Sequence, residues 1–143
     1  MNTDKVLETL EDYARAYCAK DIDLLMSVFD DSDDISVIGT GADELCSGVS
    51  EVRELFLRNF GEAQANLFEW HWIHTAVSGD HAVVAVTLTI HLEMAKRSLA
   101  VPIRWTIVLK RPADRWVWLH RHASTADSDQ GDGQAYPSGK FRP

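Results

Sequence analysis

The chain has 143 residues, 45% of them hydrophobic and 25% charged, which fits one soluble globular domain and leaves little room for a second. Its 14 Lys and Arg stand against 22 Asp and Glu, a formal net charge of −8 that argues against nucleic acid and anionic membrane as partners. No stretch nears the roughly 20 apolar residues needed to span a bilayer. Met1-Asn2-Thr3-Asp4-Lys5 lacks the basic and apolar run of a secretory leader, so a cytoplasmic location is expected.

In chain order, Val6, Leu7, Leu10, Tyr13, Ala14, Tyr17 and Cys18 recur at spacings of three and four, which predicts a helix over about 4–20. Thr3 or Asp4 is the expected cap, because a side-chain oxygen there accepts an orphan backbone N–H. Asp21 reads as a second cap, opening a short helix that buries Ile22, Leu25, Val28 and Phe29. Asp30-Asp31-Ser32-Asp33-Asp34 lacks the Gly and distal Glu of a calcium loop and reads as a solvated turn. Ile35-Ser36-Val37-Ile38 is a brief strand, and Gly39-Thr40-Gly41 turns the chain. Gly48 introduces a third helix with Val52, Leu55, Phe56, Asn59 and Phe60 on its inner face, and Gly61 suits the left-handed residue that ends a helix.

From residue 67 the period falls to two, and β-branched and aromatic residues dominate. Four strands are predicted over about 67–77, 81–94, 99–110 and 115–124, joined by Ser78-Gly79-Asp80, Ala95-Lys96-Arg97-Ser98 and Pro112-Ala113-Asp114. Short turns force antiparallel pairing. Helices first and a meander afterwards make an α+β fold, with three N-terminal helices packed on one face of a curved antiparallel sheet, leaving a cone. Residues 1–124 form this domain, and the polar, Gly- and Pro-bearing residues 125–143 read as an arm or tail, with Tyr136 and Pro137 placed to fold over the cone mouth.

Several local motifs are similar to the SnoaL-like branch of the nuclear-transport-factor-2-like (NTF2-like) superfamily, whose ketosteroid-isomerase-like and polyketide-cyclase-like relatives share the cone. They are Ile38-Gly39-Thr40-Gly41-Ala42-Asp43-Glu44, Gly48 before the third helix, Ser78-Gly79-Asp80 with Ala82, and the last strand from Trp116 to Ser124. That strand also resembles the association domain of calcium/calmodulin-dependent kinases. The resemblance implies the fold, a pocket and dimerisation through sheet faces. The isomerase's carboxylate, tyrosine and aspartate set does not carry over, since the predicted strands hold only Glu69 and Glu93.

Strict alternation places His120 and His122 on one strand face with Trp116, Trp118 and Ser124, and Val117, Leu119 and Arg121 on the other. A His-x-His pair supplies two metal ligands and would need His91 or His71 as a third, so no metal is assigned. The two cysteines, Cys18 and Cys46, form no Cys-x-x-Cys pair and read as reduced thiols.

Each middle strand has an apolar face (Val84, Val86, Leu88, Ile90; Ile103, Trp105, Ile107) and a mixed one (Thr87, Thr89, His91; Arg104, Thr106). Either the apolar face meets the helices and the mixed face meets solvent, or a second subunit covers the apolar face and the mixed face lines the cone. The family resemblance favours the second arrangement.

On that arrangement His120 or His122 transfers a proton while Arg104 or Tyr17 steadies an oxyanion, and these three residues, His120, His122 and Arg104, are the candidate catalytic set. Tyr13, Tyr17, Trp70, His91, Thr106 and Trp118 would complete a ligand pocket. The implied role is a small-molecule pocket protein, with cofactor-free isomerase, cyclase or dehydratase chemistry on a hydrophobic carbonyl or anionic compound. The alternative is a non-catalytic association module that dimerises with itself.

Overall fold

Val6, Leu10, Tyr13 and Ala16 recur at helical spacing and form the buried face of α1 (Asn2–Ala19) in the computed structural model, which describes residues 2–139. The helix begins at Asn2, so Thr3 and Asp4 lie inside its first turn rather than before it. Asp21 does cap α2 (Ile22–Met26): its Oδ1 accepts from Leu24 N at 3.1 Å. The acidic turn is only partly solvated. Asp30 is buried, accepts from Ser32 Oγ at 2.6 Å and pairs with Lys110 Nζ at 3.2 Å.

Two short strands follow, β1 (Ser36–Ile38) and β2 (Leu45–Ser47), the second too brief for alternation to reveal it. Gly48 then turns the chain into α3 (Val49–Glu62) at φ 86, ψ 163, a region only glycine occupies without strain. An added Cβ would meet Asp33 Oδ1 at 3.5 Å, an ordinary contact, so the penalty is in the backbone. Gly48→Ala is expected to cost about 1–3 kcal/mol, read as a lower urea midpoint. Gly61 lies within α3 and does not end it. The chain leaves through Ala63 in an extended conformation and runs directly into the next strand, so no left-handed residue is required.

The long strands are β3 (Gln64–Ser78), β4 (His81–Met94), β5 (Arg97–Lys110) and β6 (Val117–Ser124). They form one sheet in the order β2-β1-β6-β5-β4-β3, antiparallel throughout except for the β1–β6 pair. Gly79 (φ 60) serves the β3–β4 turn. The β4–β5 turn is tighter than its four candidate residues suggest: Met94 pairs with Arg97, and both Ala95 (φ 51) and Lys96 (φ 65) are left-handed.

The helices cover one face of the sheet and fix which side is the core. Val84, Val86 and Leu88 of β4 and Trp105, Ile107 and Leu109 of β5 are buried with Val6, Tyr13, Phe29 and Phe56 from the helical side. The first of the two arrangements is therefore the observed one, and the inward placement of the mixed face is corrected: Arg104, Thr106 and His122 are exposed, and His91 and His120 are half-buried on the outer side. The physical reason is that the apolar stripes of α1 and α3 need an apolar cover, which the Val/Leu/Ile face supplies and the Thr/Arg/His face does not.

A second correction concerns β6. Leu109 pairs with Trp118 but Val108 pairs with His120, so Leu119 is an extra residue in a bulge. Downstream of it the alternation changes phase. Trp118, Arg121 and Ala123 point into the core while His120 and His122 point out, so Trp118 does not share the histidines' face. Among the described residues no helix is long and apolar enough to cross a membrane.

Candidate functional site

A cavity of about 290 Å³ opens between the C-terminal half of α1, α3, the β1–β2 turn and the inner ends of β4 and β5. Ile90, Leu92, Val101 and Ile103 supply apolar walls, and Tyr17 and Trp105 add aromatic ones. Tyr13 and Arg121 line it where it meets the core.

Arg121 is the unusual group. It is only 6% exposed, and its Nη1 donates to the Tyr13 hydroxyl at 2.8 Å. Its guanidinium lies 5.3 Å from the Trp105 ring centroid and 5.8 Å from that of Phe56. Nε is buried with no acceptor among the described residues. Among the described residues no carboxylate comes within ion-pair distance of it. Two cation–π contacts contribute about 1–2 kcal/mol each when desolvated, against several kcal/mol to take a charge out of water. The charge is thus only partly compensated by the protein.

The neighbouring phenols are neutral donors at physiological pH. Burial pushes Tyr13 well above the ordinary tyrosine range, although Arg121 pulls against it. Tyr17 is raised by burial as well, with the Arg121 charge and the Asn59 side chain pulling against it.

Glu44 stands at the rim and is fixed in place. Gly41 N donates to its Oε1 at 2.7 Å, and Arg58 Nη2 pairs with its Oε2 at 3.3 Å. Gly39 has no side chain because a Cβ there would meet Glu44 Oε1 at 2.6 Å, which explains the Gly39-Thr40-Gly41 turn physically. Glu62, exposed at the end of α3, is the second acid of the rim.

Of the residues expected to form a site, only Tyr13 and Tyr17 line this cavity. Trp118 is fully buried in the core, with its Nε1 donating to Thr9 Oγ1 at 2.8 Å. Trp70 packs against Phe68 and Trp105, and its Nε1 donates to Glu11. On the outer face His120 shares a hydrogen bond of 2.7 Å with Ser36, and burial lowers its pKa. His91 pairs with Glu69 at 2.9 Å, while Arg104 donates to the Thr125 carbonyl at 3.3 Å. His120, His122 and Arg104 are thus grouped on the opposite side of the sheet from the cavity, with Thr106 beside them. Arg121 was missed because strict alternation, blind to the bulge, turned it away from its actual neighbours.

The tail does not cover the cavity. Among its described residues none lines the walls, and Tyr136 is 81% exposed. A larger cleft of about 530 Å³ runs along the N-terminal half of α1 and is bounded by Trp116, whose buried Nε1 also lacks an acceptor among the described residues. Its charged walls are exposed to solvent: Lys5 pairs with Glu8 and Arg15 with Asp12, while Arg115 donates to the Ser27 carbonyl.

A family model for the SnoaL-like domain matches residues 6–128. The fold is similar to that of a putative dehydratase of the NTF2-like family from Streptomyces avermitilis, at 21% identity and a TM-score of 0.81, over 89% of this chain and 97% of that one. An NTF2-like protein from Pseudomonas putida aligns at 15% identity and a TM-score of 0.73, over 100% and 99%. A putative calcium/calmodulin-dependent protein kinase type II association domain from Thiobacillus denitrificans aligns at 22% and 0.70, over 83% and 93%. No curated protein matches the chain. At these identities the solved structures speak to the fold alone.

Proposed function

We propose, from the premise that this chain belongs to the SnoaL-like domain family, that it binds a small, largely apolar molecule bearing a carbonyl or anionic group in the cavity beside Tyr17. The observation that carries this reading is Arg121, a buried cation in the cavity wall that the protein leaves without a carboxylate. A pocket with a few convergent polar groups on apolar walls is the usual form of a ligand site. Binding is favoured over proton-transfer catalysis of the isomerase, cyclase or dehydratase kind, because His120 and His122, the expected proton carriers, sit on the other side of the sheet.

The test is a thermal-shift screen of small apolar acids, ketones and amides, followed by Trp fluorescence, to which Trp105 in the wall should respond. Bound compounds are expected to raise the melting temperature. Arg104→Ala and His122→Ala should leave that shift unchanged. A screen without any shift removes the reading, as does loss of binding in both outer-face variants while their fold persists.

A second reading, self-association through the outer sheet face, is favoured by its exposed apolar groups. Leu67 is 55% exposed, Trp72 59% and Val83 43%. The relative described as a kinase association domain points the same way. Sedimentation should show a dimer that Val83→Arg converts to monomer. A concentration-independent monomer in the unaltered protein overturns this second reading.

A further inference from the structure

We infer that the cavity is selective for monoanions, a carboxylate on a compact apolar body, with the carboxylate seated on Arg121. The inference rests on the cavity being the ligand site and goes on to name the class of ligand. A buried Lys or His relieves its charge by losing a proton, but a guanidinium stays charged at any pH a protein meets. Its counter-charge must therefore come from a neighbour or from outside. Glu44, the half-buried acid of the cavity, is already held by Gly41 N and Arg58. Neither Glu44 nor Glu62 approaches Arg121 within ion-pair distance. Among the described residues only one side-chain donor of Arg121 is used, on the Tyr13 hydroxyl, which leaves its planar fork for the geometry that carboxylates match.

The rest of the ligand follows from the walls. About 290 Å³ falls just below the roughly 300–1,000 Å³ range for small-molecule sites, so the body is compact. The walls are mainly apolar and aromatic, with Thr40, Asn59 and the tyrosine hydroxyls as their uncharged polar groups, so the body is mainly apolar. The cation lies where the cavity meets the core and the two acids lie at the rim, so a second negative group at the far end of a ligand meets Glu44 and Glu62. Like charges in a partly desolvated cleft repel, which disfavours dianions.

The test compares phenylacetate with phenylacetamide, its neutral counterpart, and with the dianion phenylsuccinate, by calorimetry and by ¹H–¹⁵N NMR of the Trp105 indole. Phenylacetate should bind at least tenfold more tightly than either of the others. Arg121→Met should bring acid and amide within twofold of each other. If that variant does not fold, the comparison on the unaltered protein still decides. Equal binding of acid and amide overturns the anion assignment but leaves the cavity as a ligand site. Tighter binding of phenylsuccinate overturns the selectivity for a single charge. Binding of none of the three overturns the cavity reading together with this one.

Discussion

Trp118→Ala is expected to lower the free energy of unfolding by about 4–5 kcal/mol, the upper part of the range for deleting a large core aromatic. The indole is fully buried and stacks on Tyr13 with ring centroids 4.9 Å apart. It meets Phe29 edge-on at 5.5 Å and Trp105 at 6.0 Å. Its backbone bridges two regions, since Trp118 N donates to the Val28 carbonyl and Asp30 N donates to that of Trp118. Truncation removes the ring that joins α1, the segment after α2 and β5, and the backbone bonds on either side limit collapse into the space. A stability of about 5–15 kcal/mol is usual for a domain, so such a loss would be visible as a large drop in urea midpoint with an unchanged slope. A loss under about 1 kcal/mol, well below the range for a buried Trp, would contradict this account of the core.

Alkaline pH should destabilise the fold through buried Tyr13 and partly buried Tyr17. Both Tyr13 and Tyr17 are raised by burial, so the folded protein keeps protons that the unfolded chain releases near pH 10. Their stabilising contribution is therefore complete below about pH 10 and declines above it, by up to about 1.4 kcal/mol per pH unit for each tyrosine. Urea titrations at successive pH values should show this falling limb, and Tyr13→Phe should remove about one proton's worth of its slope. The same variant leaves Arg121 Nη1 without its acceptor, so it should also lose about 1.5–3 kcal/mol near neutral pH, the usual range for a hydrogen bond to a charged group. A pH-independent stability between pH 9 and 11 would show that the phenols are not buried as described.

Periodicity makes the elements legible and leaves the sidedness ambiguous. The helical spacing of Val6, Leu10 and Tyr13 gives α1, and the alternation from His81 to Met94 gives β4 with the bounds observed. Period two says that residues alternate but not which set faces inward. For β4 and β5 that depends on what the helices require, a long-range matter, and family resemblance pointed the wrong way. The site was harder still. Tyr13 and Tyr17 are legible because a helix keeps its phase over eighteen residues. Arg121 is not legible, because one unpaired residue upstream reverses the phase of every position after it. The mixed character of β6, with a polar side chain at three successive positions 120–122, offers no pattern from which a bulge could be inferred.

Leu119 gives the last strand some slack. The stretch before it answers to Phe29 and the floor of the helices, and the stretch after it answers to Tyr13 and the cavity. Without a spacer, one rigid ruler would have to satisfy both, and any lengthening near Trp118 would swing Arg121 toward water. With it, the half that packs the floor and the half that lines the cavity can be altered separately. Relatives built on this scaffold could thus exchange the charge at the chamber without rebuilding the floor.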